Sequence, residues 1–367
     1  MHSLGKLIQK HMLSYPLSEL SDILTLVYQN EFGPLCADHT EETASKILHK
    51  MQESQAASNP RTLSEPIGNG FARVHCASFG KLFDDKILAS KVLSSMAAVS
   101  AEVQRGSFEG VSKKLGLLLR LVENNELAGS GDTTFKSWVY NYEQSRKEVD
   151  KFLKVDYPEV SHSDDYLSAY NPSYRVVLCE FLEYVDLFKL IQPSISFGRR
   201  VILGIDGRSG AGKTTLAKIV SKVYGGDFIS MDNFYLPFEL RSLERMGIPG
   251  GHIHYERFIE QILNPIKAGK TRIEHENYSP HTKKTTPLVA NINSNIVVVE
   301  GSYSLHPWIR DLHTHTVFLN ASDALQKRRI LKRNGKEGYV RFKSTWIPFE
   351  DRYHRAYKVD KYCNISI

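Results

Sequence analysis

The stretch Gly207-Arg-Ser-Gly-Ala-Gly-Lys213-Thr214 decides the fold of the second half of this 367-residue chain. It matches the pattern G-x-x-x-x-G-K-[ST], in which the glycines let successive backbone N–H groups turn inward on a phosphate group. In that pattern Lys213 reaches the β and γ oxygens of a triphosphate, and Thr214 offers its hydroxyl to Mg²⁺ at the positive end of a helix. The alternative is a glycine-rich turn with a solvated lysine. We expect the nucleotide-binding residues to be Gly207, Ser209, Gly210, Ala211, Gly212, Lys213, Thr214 and Thr215.

Four short apolar runs predict buried strands around this loop, at residues 200–205, 227–231, 295–299 and 315–319. A helix is expected at 214–223, directly after the loop. Strands that alternate with helices form a parallel sheet with helices on both faces, and ligands bind at the carboxyl ends of such strands. The fold class expected for this half is therefore α/β, with the parallel sheet of a P-loop NTPase.

Two carboxylates follow predicted strands and should lie at the same sheet edge as the loop. Asp232 comes directly after the second strand, and Glu300 ends the third strand. Phosphoryl transfer needs positioning, charge neutralisation and one group that accepts the hydroxyl proton. We expect Asp232 to be that general base and to lie close to the metal, and Glu300 to face Mg²⁺ or its water shell. A cap that closes the strand is the alternative for Asp232, and a structural carboxylate is the alternative for Glu300.

A basic segment follows the last predicted strand, Lys327-Arg-Arg-Ile-Leu-Lys-Arg-Asn-Gly-Lys336. It opens as a helix and ends at Asn-Gly. Arg329 and Lys332 are therefore expected to fold over the triphosphate and stabilise the transferring charge, with Arg333 binding the nucleotide. A solvated basic helix face is the alternative.

Taken together, the loop, Asp232-Asn-Phe-Tyr235, Glu300-Gly and the basic segment resemble the uridine kinase and phosphoribulokinase family of P-loop kinases, over about residues 198–367. The resemblance implies that Asp232 is the general base and that Glu300 is a metal-side carboxylate. It also implies that two residues of Asn277-Tyr-Ser-Pro-His281 lie near the phosphate acceptor. The expected acceptor-binding residues are Tyr235, His254, Tyr278, His281 and Tyr303.

One departure from the family pattern concerns the acceptor. Nucleoside-specific members tend to place an acidic residue and Asp-His-Pro ahead of the helix after D-x-F-Y, where the acid can hold ribose hydroxyls. The corresponding stretch here, Ile248-Pro-Gly-Gly-His-Ile-His-Tyr-Glu-Arg-Phe258, lacks that acid. Uridine is therefore not indicated as the acceptor, whereas phosphorylation of a small alcohol is. His252 and His254 either face the acceptor or are ordinary core or surface histidines.

The two halves of the chain carry opposite charge. Residues 1–197 hold 20 basic and 25 acidic side chains, whereas residues 198–367 hold 27 and 16. An excess of positive charge suits phosphate-bearing ligands, and the acidic first half is a poor nucleic-acid binder. Because the hydrophobic pattern also changes here, we expect a mostly helical domain at 1–195 and a P-loop kinase domain at 196–367. The first domain is expected to complete the acceptor pocket, to form a dimer or to regulate the kinase domain, and its sequence leaves these three roles open.

Apolar residues at helical spacing predict helices in the first half at 44–51, 111–122 and 176–190, the last of which should end at Gln192-Pro193. The stretch 68–73 is typical of a turn in which glycine supplies a positive φ. Four widely spaced cysteines indicate reduced thiols in a chain too long to need a disulfide framework. No apolar run approaches 18 residues, so no membrane association is expected and the protein should be cytoplasmic.

These observations favour an ATP- and Mg²⁺-dependent kinase that phosphorylates a hydroxyl of a small metabolite, nucleoside-like or sugar-like. The alternative is a regulatory module in which nucleotide occupancy controls a partner held by the first half. A regulator would not need Asp232, Glu300 and the basic segment together, so their joint presence favours the enzyme. The sequence does not decide whether the chain forms homo-oligomers.

Overall fold

The computed structural model describes residues 3–34, 40–53, 62–103, 106–127, 135–155, 160–292 and 294–367. The chain divides into two compact units, Met1–Leu182 and Glu183–Ile367. The boundary therefore lies at 182/183 rather than at the expected 195/196. The boundary precedes the helix Val185–Ser196 because this helix packs against the strand Val201–Gly207 of the second unit.

The first unit combines helices with one small sheet. Its described helices and strands are α1 (Ser3–Ser14), α2 (Leu20–Phe32), α3 (Glu41–Glu53), β1 (Ser64–Gly68), β2 (Phe71–His75), α4 (Cys76–Gly80), α5 (Lys86–Glu102), α6 (Phe108–Glu123), α7 (Tyr142–Leu153), α8 (Asp164–Tyr170) and β3 (Tyr174–Leu178). The strands pair antiparallel in the order β1-β2-β3. Gly68 and Gly70 both have positive φ in the turn that joins the first two strands, as the sequence predicts.

The sequence does not predict the small sheet, and one of its helix predictions is wrong. Residues 176–190 were expected to form a single helix, but Val176 to Leu178 belong to β3, whose pairing with β2 buries these apolar side chains. A helical turn at Cys179–Tyr184 follows, and α9 (Val185–Ser196) begins only after it. Pro193 does not end that helix, because it is accommodated within the last turn.

The second unit is built on a parallel sheet. Its further helices and strands are β4 (Val201–Gly207), α10 (Lys213–Tyr224), β5 (Phe228–Ser230), α11 (Leu243–Gly247), α12 (Tyr255–Phe258), α13 (Asn264–Lys267), β6 (Arg272–Ser279), β7 (Lys284–Asn291), β8 (Ile296–Glu300), β9 (His315–Leu319), α14 (Asp323–Arg341), α15 (Ile347–Tyr357) and β10 (Ile365–Ser366). The sheet order is β10-β9-β4-β8-β5, and every neighbouring pair is parallel. The four strands predicted from apolar runs are all present. The expected α/β fold class is therefore confirmed.

The strand register brings the functional motifs to one edge of the sheet. All residues of β4 and β8 are buried, which explains their nearly continuous apolar sequences. Glu300 pairs with Ile205 on one side and with Ser230 on the other. The glycine-rich loop, Glu300 and the Asp232 turn therefore leave the sheet at the same level. The antiparallel hairpin of β6 and β7 lies outside this sheet and was not predicted.

Two expectations from composition concern thiols and membranes. Cys76, Cys179 and Cys363 are free thiols, whereas Cys36 lies outside the described residues. Within the described ranges, no helix combines the length and the apolar character needed to cross a membrane.

Candidate active site

The glycine-rich loop joins β4 to α10 in a conformation that only glycine adopts easily. Gly207, Gly210 and Gly212 have φ values of 143°, 76° and 109°. A Cβ atom on Gly207 would lie 2.0 Å from the carbonyl oxygen of Leu319 in the neighbouring strand. The loop therefore packs closely against the sheet, and its backbone turns just before the helix that begins at Lys213. This geometry fits a phosphate group, because N–H groups at the start of a helix point outward from it.

Lys213 lies across the loop that precedes it. Its Nζ atom donates to the carbonyl oxygens of Gly207 at 2.8 Å and Arg208 at 3.0 Å, and to the hydroxyl of Ser302 at 3.1 Å. Ser302 comes from the segment that follows β8. The ammonium group is therefore held at the edge where three strands end, where it can approach a bound phosphate.

Thr214 and Glu300 form the pair of oxygen donors expected for a metal. The Thr214 hydroxyl donates to Oε2 of Glu300 at 3.1 Å. Burial raises the pKa of Glu300, while hydrogen bonds from Ser230 and Thr214 and the charge of Lys213 oppose that rise. A hydroxyl and a carboxylate fit Mg²⁺, which prefers hard oxygen ligands and completes its shell with water and substrate phosphates. The described residues contain no cluster of three or more His, Cys, Asp or Glu side chains that could hold a metal ion, so at this edge the protein itself supplies the Thr214 hydroxyl and the Glu300 carboxylate.

Asp232 lies in the turn directly after β5, on the same edge. Asp232 is exposed to solvent on one side. The protein groups around its carboxylate nevertheless reduce the hydration of the charged form, and this desolvation raises the pKa of Asp232. The charge of Glu350 raises it further, whereas Lys213 and Arg333 lower it. The Tyr235 hydroxyl is close enough to Asp232 to lower the pKa of that carboxyl, while burial and the charge of Asp232 raise the pKa of Tyr235. Asp232 therefore combines access to a ligand with a pKa closer to neutrality, as proton acceptance requires.

Glu350, on α15, is a site residue that the sequence reasoning missed. It is only 3% exposed. Its carboxylate accepts from the backbone N–H of Ser209 at 2.9 Å and from the hydroxyl of Ser302 at 2.9 Å. Since Ser302 also contacts Lys213, Glu350 connects the loop, the lysine and the segment after β8. The residue is 141 positions away from Ser209, so no local pattern could have indicated it.

A second missed carboxylate, Asp206, shapes the segment after Glu300. It is fully buried at the end of β4 and accepts from the backbone N–H groups of Tyr303 and Leu305 and from the Tyr353 hydroxyl. Tyr303 has a positive φ of 75°, which is strained for a tyrosine. The bond from its N–H to Asp206 helps to hold that conformation and so fixes the position of the Tyr303 ring.

The basic segment lies over the loop for part of its length. Nη1 of Arg329 donates to the carbonyl oxygen of Gly210 at 2.9 Å. Arg333 is exposed, stacks on Phe342 and is close enough to Asp232 to lower the pKa of that carboxyl. Lys332 is exposed on the same helix. The helical run breaks at Gly335, at the expected Asn-Gly, and then resumes as far as Arg341.

Five aromatic rings gather beside Asp232. The His252 ring is 4.6 Å from Tyr303, 5.5 Å from Phe349, 6.0 Å from Tyr235 and 6.3 Å from Trp346, measured between ring centroids. Burial lowers the pKa of His252 to about 4, so this ring is neutral at pH 7. We call these five residues the aromatic box. Two of its members, Tyr235 and Tyr303, were expected at the acceptor.

The other expected acceptor residues differ in their placement. Tyr278 is buried, and its backbone bridges to Phe234 in the turn that carries Asp232. His281 is exposed in the turn between β6 and β7. His254 accepts from the backbone N–H of Arg257 and so caps α12, a structural role that the sequence left open.

Comparison with known proteins gives partial matches. No family model matches the chain. Uridine-cytidine kinase C from Dictyostelium discoideum is 31% identical over 118 residues, which are 32% of this chain and 26% of that protein. Uridine kinase from Streptococcus pneumoniae serotype 19F (strain G54) is 27% identical over 144 residues, 37% of this chain and 67% of that protein. A solved structure described as a possible uridine kinase from Bacillus stearothermophilus gives a TM-score of 0.38 at 19% identity, covering 51% of this chain and 99% of that one.

Proposed function

We propose that this chain is a uridine kinase-like P-loop kinase that uses ATP and Mg²⁺ to phosphorylate a hydroxyl group of a small nucleoside-like or sugar-like metabolite. The observation that carries the proposal is the contact between Thr214 and Glu300, with Lys213 and Asp232 at the same sheet edge. A nucleotide binder needs the loop alone. Two carboxylates facing the loop supply what phosphoryl transfer requires in addition.

Each group at this edge has a distinct task in the transfer. The loop N–H groups and Lys213 bind the β and γ phosphates, and Thr214 and Glu300 would hold Mg²⁺. When bound, the metal neutralises charge on the phosphate oxygens. Asp232 accepts the acceptor's hydroxyl proton as the new oxygen–phosphorus bond forms. The bond from the γ phosphorus to its bridging oxygen breaks, and ADP leaves.

Arg329 is suited to stabilise the charge that is transferred. Its guanidinium already lies at the loop, bound to the Gly210 carbonyl oxygen. From this position a change of side-chain rotamer can turn its N–H donors toward a γ phosphate bound by the same loop. Donors placed where charge develops are among the largest contributors to catalysis.

The aromatic box supports an acceptor with a flat or apolar face. Tyr235 belongs to the box and also lies close to Asp232, so a molecule packed against these rings would lie next to the base. Aromatic rings pack against nucleobases and against the apolar faces of sugars. The one acidic residue of 248–258, Glu256, lies inside α12 and pairs with Arg245 at 2.7 Å, so no acid precedes the helix as it does in nucleoside-specific members. We therefore propose a small alcohol as the acceptor class rather than uridine in particular.

The test is an ATP-consumption screen across nucleosides, sugars, polyols and vitamins, with mass spectrometry of the products. We expect at least one compound to stimulate ADP release and to gain the mass of one phosphoryl group. The Lys213→Ala variant, which should be inactive, serves as the negative control. Tight ATP binding without transfer to any member of the panel would contradict the proposal and favour the regulatory alternative.

A further inference from the structure

The first unit contains an open cavity of about 410 Å³ with a basic wall. Helix α3 lines one side, and the segment from His162 to the start of β3 lines the other. The basic side chains among its described lining residues are Lys46, His49, Lys50, His162 and Arg175, and none of those lining residues is Asp or Glu. A volume of this size lies within the range of small-molecule sites, about 300 to 1,000 Å³. Nothing in the kinase reaction uses this cavity.

The permanent cations of this wall keep their charge available to a ligand. Lys46 pairs with Glu42 at 2.7 Å and Lys50 with Glu53 at 2.9 Å, but all four side chains are at least 43% exposed. Such exposed pairs are weak, so a phosphate anion in the cavity would displace them easily. Arg175 donates one guanidinium N–H group to the backbone carbonyl of Tyr174, and its other N–H groups can bind a ligand.

The wall also holds a polar group in a fixed position. The hydroxyl of Tyr174 lies 2.6 Å from Nε2 of His162, and Nδ1 of the same ring lies 2.7 Å from Oδ1 of Asp22. Asp22 is fully buried and accepts from the backbone and the side chain of Ser163 as well. The carboxylate therefore orients the imidazole, and the imidazole orients the tyrosine hydroxyl. Groups fixed in this way lose little entropy when they bind a ligand.

The location of this positive charge is informative because the surrounding sequence is acidic. Residues 1–197 carry 25 acidic and only 20 basic side chains, yet two lysines and an arginine converge on one cavity. Arginine and lysine are the side chains that bind phosphate oxygens most strongly. Leu167 and Pro172 supply an apolar surface for the carbon skeleton of a ligand.

We propose that this cavity is a second ligand site, separate in function from the kinase site, and that it binds a small phosphorylated metabolite. The phosphate group contacts Lys50 and Arg175, and the remainder of the ligand packs beside Tyr174 and Leu167. The proposal does not depend on the kinase reaction, since every residue that carries it belongs to the first unit.

The test is isothermal titration of the full chain with inorganic pyrophosphate, in a Lys213→Ala background that weakens binding at the glycine-rich loop. Lys50→Gln and Arg175→Gln should each raise the dissociation constant about tenfold, as expected when a charge-assisted hydrogen bond is lost. Lys147→Gln is the matched control, because Lys147 is exposed on α7 and does not line the cavity. It should leave the affinity unchanged.

Amide hydrogen exchange gives a second readout that does not depend on the variants. Pyrophosphate should protect peptides that cover α3 and residues 160–178 in the same background. Binding that disappears entirely with Lys213→Ala, or that is equal in all three glutamine variants, would overturn the proposal. Malonate that binds as tightly as pyrophosphate would overturn the phosphate specificity.

Discussion

The Thr214 hydroxyl donates a hydrogen bond of 3.1 Å to Oε2 of Glu300, which connects the start of α10 to the end of β8. This contact places a metal-binding hydroxyl and a carboxylate side by side. Glu300→Gln should raise the Mg²⁺ concentration needed for half-maximal activity by about 10- to 100-fold, because the amide cannot neutralise the cation. Titration of activity with Mg²⁺ measures this. Glu244→Gln, at an exposed position of α11, should not shift the curve.

Lys213→Ala should weaken ATP binding and abolish turnover. The variant removes the cation that lies at the loop and that we expect on the β and γ oxygens. Calorimetry with ATP and a turnover assay measure the two effects. Lys270→Ala removes an equal charge from an exposed site in the same unit and should behave like the wild type. Unchanged ATP affinity in Lys213→Ala would mean that the loop does not bind the nucleotide in the expected way.

Arg329→Met should lower kcat by about 10² or more while ATP binding changes little, because a donor to the transferring phosphoryl group is lost. Arg328→Met is the control: Arg328 is the preceding residue of the same helix and is exposed. Lys332→Met tests whether the exposed part of the segment also closes over the nucleotide. Equal kcat values for wild type and Arg329→Met would make this segment a solvated helix face.

The activity should depend on pH through two carboxyl groups. The pKa values of Asp232 and Glu300 are both raised, chiefly by desolvation. Proton acceptance by Asp232 and metal binding by Glu300 require the charged forms, so kcat should fall with decreasing pH, beginning above the range of ordinary carboxyl groups. A pH profile of kcat measures this fall on the acidic side. A profile that stays flat down to the ordinary pKa of aspartate would contradict the assignment.

The sequence predicted those parts of the site that depend on local pattern. The glycine-rich loop, Asp232 and Glu300 each lie next to a short apolar run, and parallel strands bring such positions to one edge. Residue type and spacing were enough to predict this arrangement, which the register of β4, β5 and β8 produces.

The remaining features depend on contacts between distant segments. Glu350 reaches Ser209 from a helix 141 residues away, and the aromatic box gathers rings from position 235 to position 349. The strand β3 was mistaken for a helix because Val176-Val-Leu178 is compatible with either structure until its pairing with β2 is known. Long-range packing decides such cases.

The most direct test of the proposed mechanism is the rate of phosphoryl transfer by Asp232→Asn. Asparagine preserves the size of the side chain but cannot accept the proton, so we expect kcat to fall by about 10² to 10⁴ with near-normal ATP affinity. A variant that keeps more than about a third of the wild-type kcat, far more than loss of a general base allows, would contradict the account.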